Sequence, residues 1–282
     1  MSFDLLQQQL QQFGIELPSD FVVDGNLHRF GRKKNSWYAL HWFRLDNGQQ
    51  ILTGRFGDWK LGVDEKVNFD MPPLSQEERQ RFAAEQKAQA KAAEKAKAEK
   101  QAEAAERAAK IWAKLPVEGH SPYLQRKKVA AVGVRFSRGS VVIPLHNVAG
   151  KLVGLQFIAP DGSKKFLTGT DKQGAFHVLG DLDPTGRVML AEGYATGASL
   201  FMAMGGKVPC VIAFDAGNLQ PVAVALREQY PDLHMVICAD NDHKTAGNPG
   251  VTKAHLAAKA CGARVVIPTP RQAAQGSVGE PL

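Results

Sequence analysis

The 282-residue chain is 44% apolar and carries a formal net charge of +7. That is enough core for one large domain or two modest ones, and the charge leans toward a polyanionic partner. Its three cysteines, Cys210, Cys238 and Cys261, lie far apart in sequence, which excludes a zinc ribbon and a disulfide framework and fits a reducing cytoplasm. Met1-Ser2-Phe3-Asp4 leads into a glutamine-rich stretch rather than a basic segment followed by an apolar run, so no signal peptide is expected. No run approaches the length of a membrane span, and no membrane partner is expected.

Residues 1–73 read as a small β-rich module. The runs Ser36 to Leu45 and Gln50 to Gly54 flank Asp46-Asn47-Gly48, a hairpin-turn signal. Strand alternation puts Trp37, Ala39, Phe43 and Leu45 on one face and Tyr38, Leu40 and Trp42 on the other. Further rings, Phe30, Phe56 and Trp59, are interleaved with Arg29, Arg32, Lys33, Lys34, Arg44, Arg55 and Lys60. Rings stack on bases while cations hold phosphates, which suits single-stranded nucleic acid and makes Trp42, Trp59 and Arg55 candidate contacts. So small a module also needs rings for its core, and the two uses are compatible on opposite faces.

Residues 74–115 form a charged, alanine-dominated stretch with no Gly or Pro from Gln76 to Leu115. Ala, Lys, Glu, Gln and Arg are the strongest helix formers, so one long helix is expected. Ser75 with Glu78 three residues on is a capping box, and Pro116 stops the far end. The interior has no Leu or Ile stripe, which favours a solvated, semi-rigid linker of about 60 Å over a coiled coil.

From Arg187 the pattern alternates strand and helix. The apolar runs are Val188-Met189-Leu190-Ala191, Val208 to Phe214, Met235 to Ala239 and Val265-Val266-Ile267. One helical segment runs from about Ala195 to Met204 before Gly205-Gly206, the next has Pro221 in its first turn, and the last ends at Cys261-Gly262. Short runs separated by helices imply a parallel sheet covered on both faces, whose ligands bind at the carboxyl ends of the strands. Glu192-Gly193 follows the first strand, and Asp240-Asn241-Asp242 follows the third. Aspartates two apart in extended backbone point to the same side, as a divalent ion with hard oxygen ligands requires. Gly193 and Gly197 are expected to keep the backbone beside Glu192 open to a phosphate. Asp215, after the second strand, is a further candidate at the same edge; a capping role for Asn218 near Pro221 is an equal reading of that segment. His41, His146 and His243 read as structural or loop residues.

Glu192-Gly193-Tyr194-Ala195-Thr196, Asp240-Asn241-Asp242 and Val265-Val266-Ile267-Pro268 together resemble the Toprim domain, found in bacterial primases, topoisomerases and some nucleases. The nearest likeness is to primases of phages, conjugative plasmids and integrated elements. It extends upstream through Val142-Ile143-Pro144-Leu145, Gly150 to Phe157, Asp161 to Leu167 and Phe176 to Gly180, and so covers about Ile111 to Pro270. The resemblance implies an α/β Toprim domain at 187–270, a mixed α+β primase-core subdomain at 116–186 and a tail at 271–282.

It also implies a nucleotidyltransferase, a DNA primase that makes short RNA primers on single-stranded DNA from ribonucleoside triphosphates, with a separate replicative helicase as partner. Glu192, Asp240 and Asp242, with Asp215 as a further ligand, would hold Mg²⁺ or Mn²⁺, with no zinc. Glu192 acts either as ligand or as general base. Lys164, Lys165, Arg126, Lys127 and Lys128 would line a groove for template or nascent duplex. Three features depart from the family pattern: Thr196 stands where replicative primases carry Asp, no cysteine set for a zinc ribbon exists, and the sequence ends soon after Pro270. A Toprim nuclease and a non-enzymatic single-stranded-DNA-binding accessory are the competing readings. The upstream primase-like strands oppose the first, and the acidic cluster opposes the second.

Overall fold

The computed structural model describes residues 2–68, 73–241, 245 and 247–268. The chain divides into two compact units, Met1–Ala98 and Glu99–Leu282.

In the first unit α1 (Ser2–Gln12) precedes β1 (Leu27–Phe30), β2 (Ser36–Arg44), β3 (Gln50–Asp58) and β4 (Val63–Lys66). The strands form an antiparallel meander in that order. Asp46-Asn47-Gly48 is the β2–β3 turn, with the Gly48 amide donating to Leu45 O and Gly48 at φ +84°. Alternation along β2 divides the side chains as expected. Tyr38 and Leu40 join Leu52, Phe56, Leu6, Leu10 and Ile15 in a core between the sheet and α1. Phe43, Leu45 and Ile51 pack on the other face against Leu74 and Phe82. Gly54 is required by close approach: a Cβ there would lie 2.1 Å from Ala39 O. The helix α1 had no sequence reading; it forms because Gln favours helix and Leu6 and Leu10, one turn apart, bury against the sheet.

Helix α2 runs Gln76–Lys114. The capping box is present in both directions, Ser75 N–H to Glu78 Oε2 at 2.9 Å and Glu78 N–H to Ser75 Oγ at 3.1 Å. Its first turns belong to the N-terminal unit, where the Phe82 ring meets Phe43 edge-on at 4.8 Å and Arg81 bonds Asp46. Residues 87–100 are exposed throughout. Its last turns belong to the second unit: Ala104, Ala105 and Ala108 are buried, and Ile111 and Trp112 pack with Val142 and Leu155. This second seam is built largely from alanine, so no Leu or Ile stripe marks it.

The second unit continues with α3 (Pro122–Lys127), β5 (Arg135–Ser137), β6 (Ser140–His146), β7 (Leu152–Ile158) and β8 (Lys164–Phe166), an antiparallel sheet in chain order. Then follow β9 (His177–Leu179), β10 (Arg187–Ala191), α4 (Tyr194–Ala203), β11 (Cys210–Ile212), a 3₁₀ turn (Ala216–Asn218), α5 (Leu219–Gln229), β12 (His234–Cys238), α6 (Pro249–Cys261) and β13 (Arg264–Val266). Their sheet has the order β13-β12-β10-β11-β9. Four strands are parallel, and β9 runs antiparallel at the edge. Burial on both faces explains the continuous apolar runs: Val188 and Leu190 pack under α5 and α6, while Met189 and Ala191 pack in the core that includes α4 and the antiparallel sheet.

Candidate active site

The carboxyl ends of β10, β11 and β12 form one edge, since Leu190 pairs with both Val211 and Ile237 and Ala191 with both Ile212 and Cys238. Glu192 is the first residue past β10, and Asp240 the second past β12, so register brings both carboxylates to this edge on adjacent strands. Both are half-buried.

The N-cap of α4 is Gly193 and that of α6 is Asn248. Both helices begin at this edge, and α6 approaches so closely that a Cβ on Gly250 would lie 2.3 Å from Asp240 O. Helix N-termini carry partial positive charge, which favours the ionised carboxylates and anionic ligands beside them.

Four further contacts complete the edge. Thr196 Oγ1, one turn into α4, donates to Asp240 Oδ1 at 3.4 Å. Asn248 Nδ2 donates to Asn241 Oδ1 and Asn241 Nδ2 to Pro268 O, both at 2.9 Å, fixing the backbone after Asp240. Lys164 on β8 reaches over the Glu192-Gly193 turn: its Nζ is 3.4 Å from where a Cβ on Gly193 would stand. An ammonium over the turn that carries Glu192 and begins α4 is arranged for an anionic ligand at this edge.

The expected residues divide sharply. Glu192, Asp240, Gly193 and Lys164 come together. Asp242, the third acid, lies outside the described residues, as does His243; among the described residues no three His, Cys, Asp or Glu side chains group closely enough to hold an ion. Asp215 is committed elsewhere. It accepts the Asn218 amide at 3.0 Å as a cap and pairs with Lys172 Nζ at 2.7 Å. The Asn218 side chain does not cap; buried, it bonds Ala175 O, Ala213 O and the Gly174 amide.

Gly197 requires a correction. A Cβ there would lie 2.0 Å from Ile212 Cδ1, so this glycine lets α4 settle on β11 and does not open the site. Lys165, adjacent to Lys164 on the strand, is carried to the opposite face by alternation. Arg126, Lys127 and Lys128 are exposed around the end of α3, with Arg126 donating to Pro160 O.

Tyr194 is fully buried. Its hydroxyl accepts the Val132 amide at 2.7 Å and its ring stacks on His177, tying the segment before β5 to the start of α4. Burial holds the Tyr194 hydroxyl up at about 12 and pushes His177 down to about 4. It also raises the thiols of Cys210, Cys238 and Cys261, which stay protonated and buried.

In the N-terminal unit the three expected contacts fall on two faces. Trp59 stacks on Trp37 at 5.9 Å with Arg29 over its ring at 4.7 Å, and Arg55 shares that face, paired with Asp64. Trp42 stands on the opposite face, edge-on to Phe3 at 6.0 Å.

Residues 187–276 match the family model described as the Toprim domain. Two curated proteins, both named DNA primase TraC and both from Escherichia coli, are 34% identical over 258 residues and 33% over 261. Each match takes in 88% of this chain but 18% and 24% of the relative, so the chain spans under a quarter of these longer proteins. Among solved structures, the primase fragment of the bacteriophage T7 primase-helicase protein aligns at 13% identity and a TM-score of 0.36, covering 51% of this chain and 59% of that one. The DnaG catalytic core aligns at 16% and 0.35, covering 56% and 59%. The chain therefore carries a Toprim domain, set in a sequence related over most of its length to DNA primases.

Proposed function

We propose that this chain is the catalytic part of a DNA primase, joining ribonucleotides on a single-stranded DNA template by divalent-metal-assisted nucleotidyl transfer. The observation that carries this reading is the meeting of Glu192 and Asp240 at the carboxyl edge of one parallel sheet, with the Lys164 ammonium over Gly193. The donor set suits Mg²⁺ or Mn²⁺: carboxylate oxygens, with Asp242 as the third, and thiols too deeply buried to serve as ligands. Bound there, the ion would neutralise charge on the triphosphate and on the transferred phosphoryl group. Asp240, steadied by Thr196 and by the Asn241–Asn248 clasp, holds its place at the edge. Glu192 accepts the proton of the attacking 3′-hydroxyl or completes the ligand set. Lys164 counters phosphate charge as the bond to pyrophosphate breaks. The aromatic and basic face of the N-terminal unit binds the template, and a separate helicase supplies single strands. The test is incubation with single-stranded DNA, labelled ribonucleoside triphosphates and Mg²⁺, read on a denaturing gel. Short RNA products that vanish without template support the reading. Cleavage of the DNA without synthesis would replace it with a nuclease that uses the same acids.

A further inference from the structure

Between the sheet of the N-terminal unit and the first half of α2 lies a groove of about 590 Å³, within the range of small-ligand sites. Its shape follows from the sequence. Phe82 covers the Phe43 end of the sheet and Gln86 covers His41. One and two turns further on, the helix presents Ala90 and Ala93, which are too small to reach the sheet. The floor beneath them is Ala39, Thr53 and the flat ring of Trp37.

Chemistry is distributed along this groove in a definite order. At its inner end a polar triplet joins sheet to helix: His41 Nε2 contacts Thr53 Oγ1 at 2.7 Å and the Gln86 amide at 2.6 Å. Burial holds His41 below its ordinary value, so its ring is neutral near pH 7; with Nδ1 protonated, its single Nε2 lone pair takes a Gln86 amide hydrogen while the Thr53 hydroxyl donates to His41 O, leaving the Gln86 carbonyl oxygen and its second amide hydrogen for a ligand. Next comes the Trp37 indole, whose N–H is buried with no hydrogen-bond partner among the described residues, an orphan donor beside the groove. The rim is cationic. Arg55 and Lys66 face each other across β3 and β4, and Arg29, opposite Trp37 on β1, stands on the same face of the sheet outside the groove. Asp64 offsets only part of that charge.

We propose that this groove takes a single unstacked base of a DNA strand, lying against Trp37 with its polar edge toward Gln86, and its backbone phosphates on the Arg55 and Lys66 rim and on Arg29 beyond it. The proposal rests on the reading of this chain as a protein that works on single-stranded DNA, and it names where in the N-terminal unit a base is bound. A hydrophobic peptide would fill the apolar walls but would leave the cationic rim and the amide unmatched. An aromatic heterocycle attached to a phosphate matches all three.

The test uses the full chain and two fluorescent probes, an oligothymidylate and a strand of equal length made of abasic sugar-phosphate. Ala90→Trp places an indole in the groove from an exposed helix position, and Ala93→Trp does the same one turn along. Unchanged helical content and melting midpoint show that a variant is folded, and the second serves if the first is not. The wild type is expected to bind oligothymidylate more tightly than the abasic strand. Each filled-groove variant is expected to lose about tenfold on oligothymidylate, the order of one base–aromatic stack, and nothing on the abasic strand. Equal weakening on both probes, or none on either, overturns the base site while primer synthesis by the wild type still stands. A wild type that neither binds these strands nor makes primers overturns the template reading as well.

Discussion

At the scale of single residues, the acids were legible and their neighbours were not. Glu192 and Asp240 stand out because each follows an apolar strand at the edge where ligands of a parallel sheet bind. Lys164 and Thr196 reach the same site through tertiary approach from β8 and α4, which no local pattern encodes. Asp215, a further candidate at the same edge, is engaged instead by Lys172, 43 residues away in the chain. If Glu192, Asp240 and Asp242 act on metal and proton, Glu192→Gln, Asp240→Asn and Asp242→Asn should each cut primer synthesis by about 100-fold or more. Their melting midpoints should hold or rise, because charge repulsion is relieved. Activity within a few-fold of wild type at any one would remove that residue from the mechanism.

The two glycines give a sharper contrast. Gly197→Ala forces a methyl onto Ile212 and should cost about 1–3 kcal/mol of stability by chemical denaturation. Gly193→Ala, at φ −114° with only the mobile end of Lys164 nearby, should leave stability unchanged while lowering activity.

His177 adds a pH dependence. Its folded value of about 4 lies below the ordinary 6.5, so the unfolded chain takes up the proton first. The burial of neutral His177 is therefore without penalty above pH 6.5, and stability falls as pH drops from 6.5 toward 4, by about 3 kcal/mol in all. Denaturation curves for wild type and His177→Leu should diverge in slope across that interval. Parallel curves would mean that His177 is not buried neutral.

At the scale of elements, the parallel sheet and its helices were readable because apolar runs bounded by glycines are a local signal. So were the β2–β3 turn and the capping box of α2. The packing of α2 was hidden by composition. Ala104 and Ala108 are the same residue type as the exposed Ala92 and Ala96, and only what lies opposite, Gly169 for the first and Val142 and Leu155 for the second, distinguishes them. The helix α1 was hidden similarly, with only Leu6 and Leu10 marking a buried face among glutamines. The seam makes a positional prediction: Ala108→Leu overpacks a fully buried contact and should cost about 1–3 kcal/mol, while Ala96→Leu should change stability by less than about 0.5 kcal/mol. Equal effects, read from urea midpoints, would mean that the end of α2 is not packed as described.

At the scale of the whole molecule, the two units divide within α2, at Ala98 and Glu99, and each has its own core. A fragment of the second unit must therefore keep the last turns of that helix. One beginning at Ile111 would strip Ala108 from Val142 and Leu155 and Ala104 from Gly169, and should be poorly folded. One beginning at Lys91 keeps the seam with three turns to spare. It should unfold cooperatively and retain metal-dependent extension at high DNA concentration, because Glu192, Asp240 and Lys164 all lie within it. It lacks Arg29, Arg55 and Lys66, and with them the phosphate contacts proposed for the first unit. For single strands each lost phosphate contact lowers the slope of log affinity against log salt by about 0.7, so the fragment's slope should be shallower by about 2. The comparison is single-stranded DNA affinity at several salt concentrations for the full chain and the Lys91 fragment. Equal slopes with equal affinities would show that the first unit does not hold the template, and would turn the search for its partner from DNA to a protein such as the helicase.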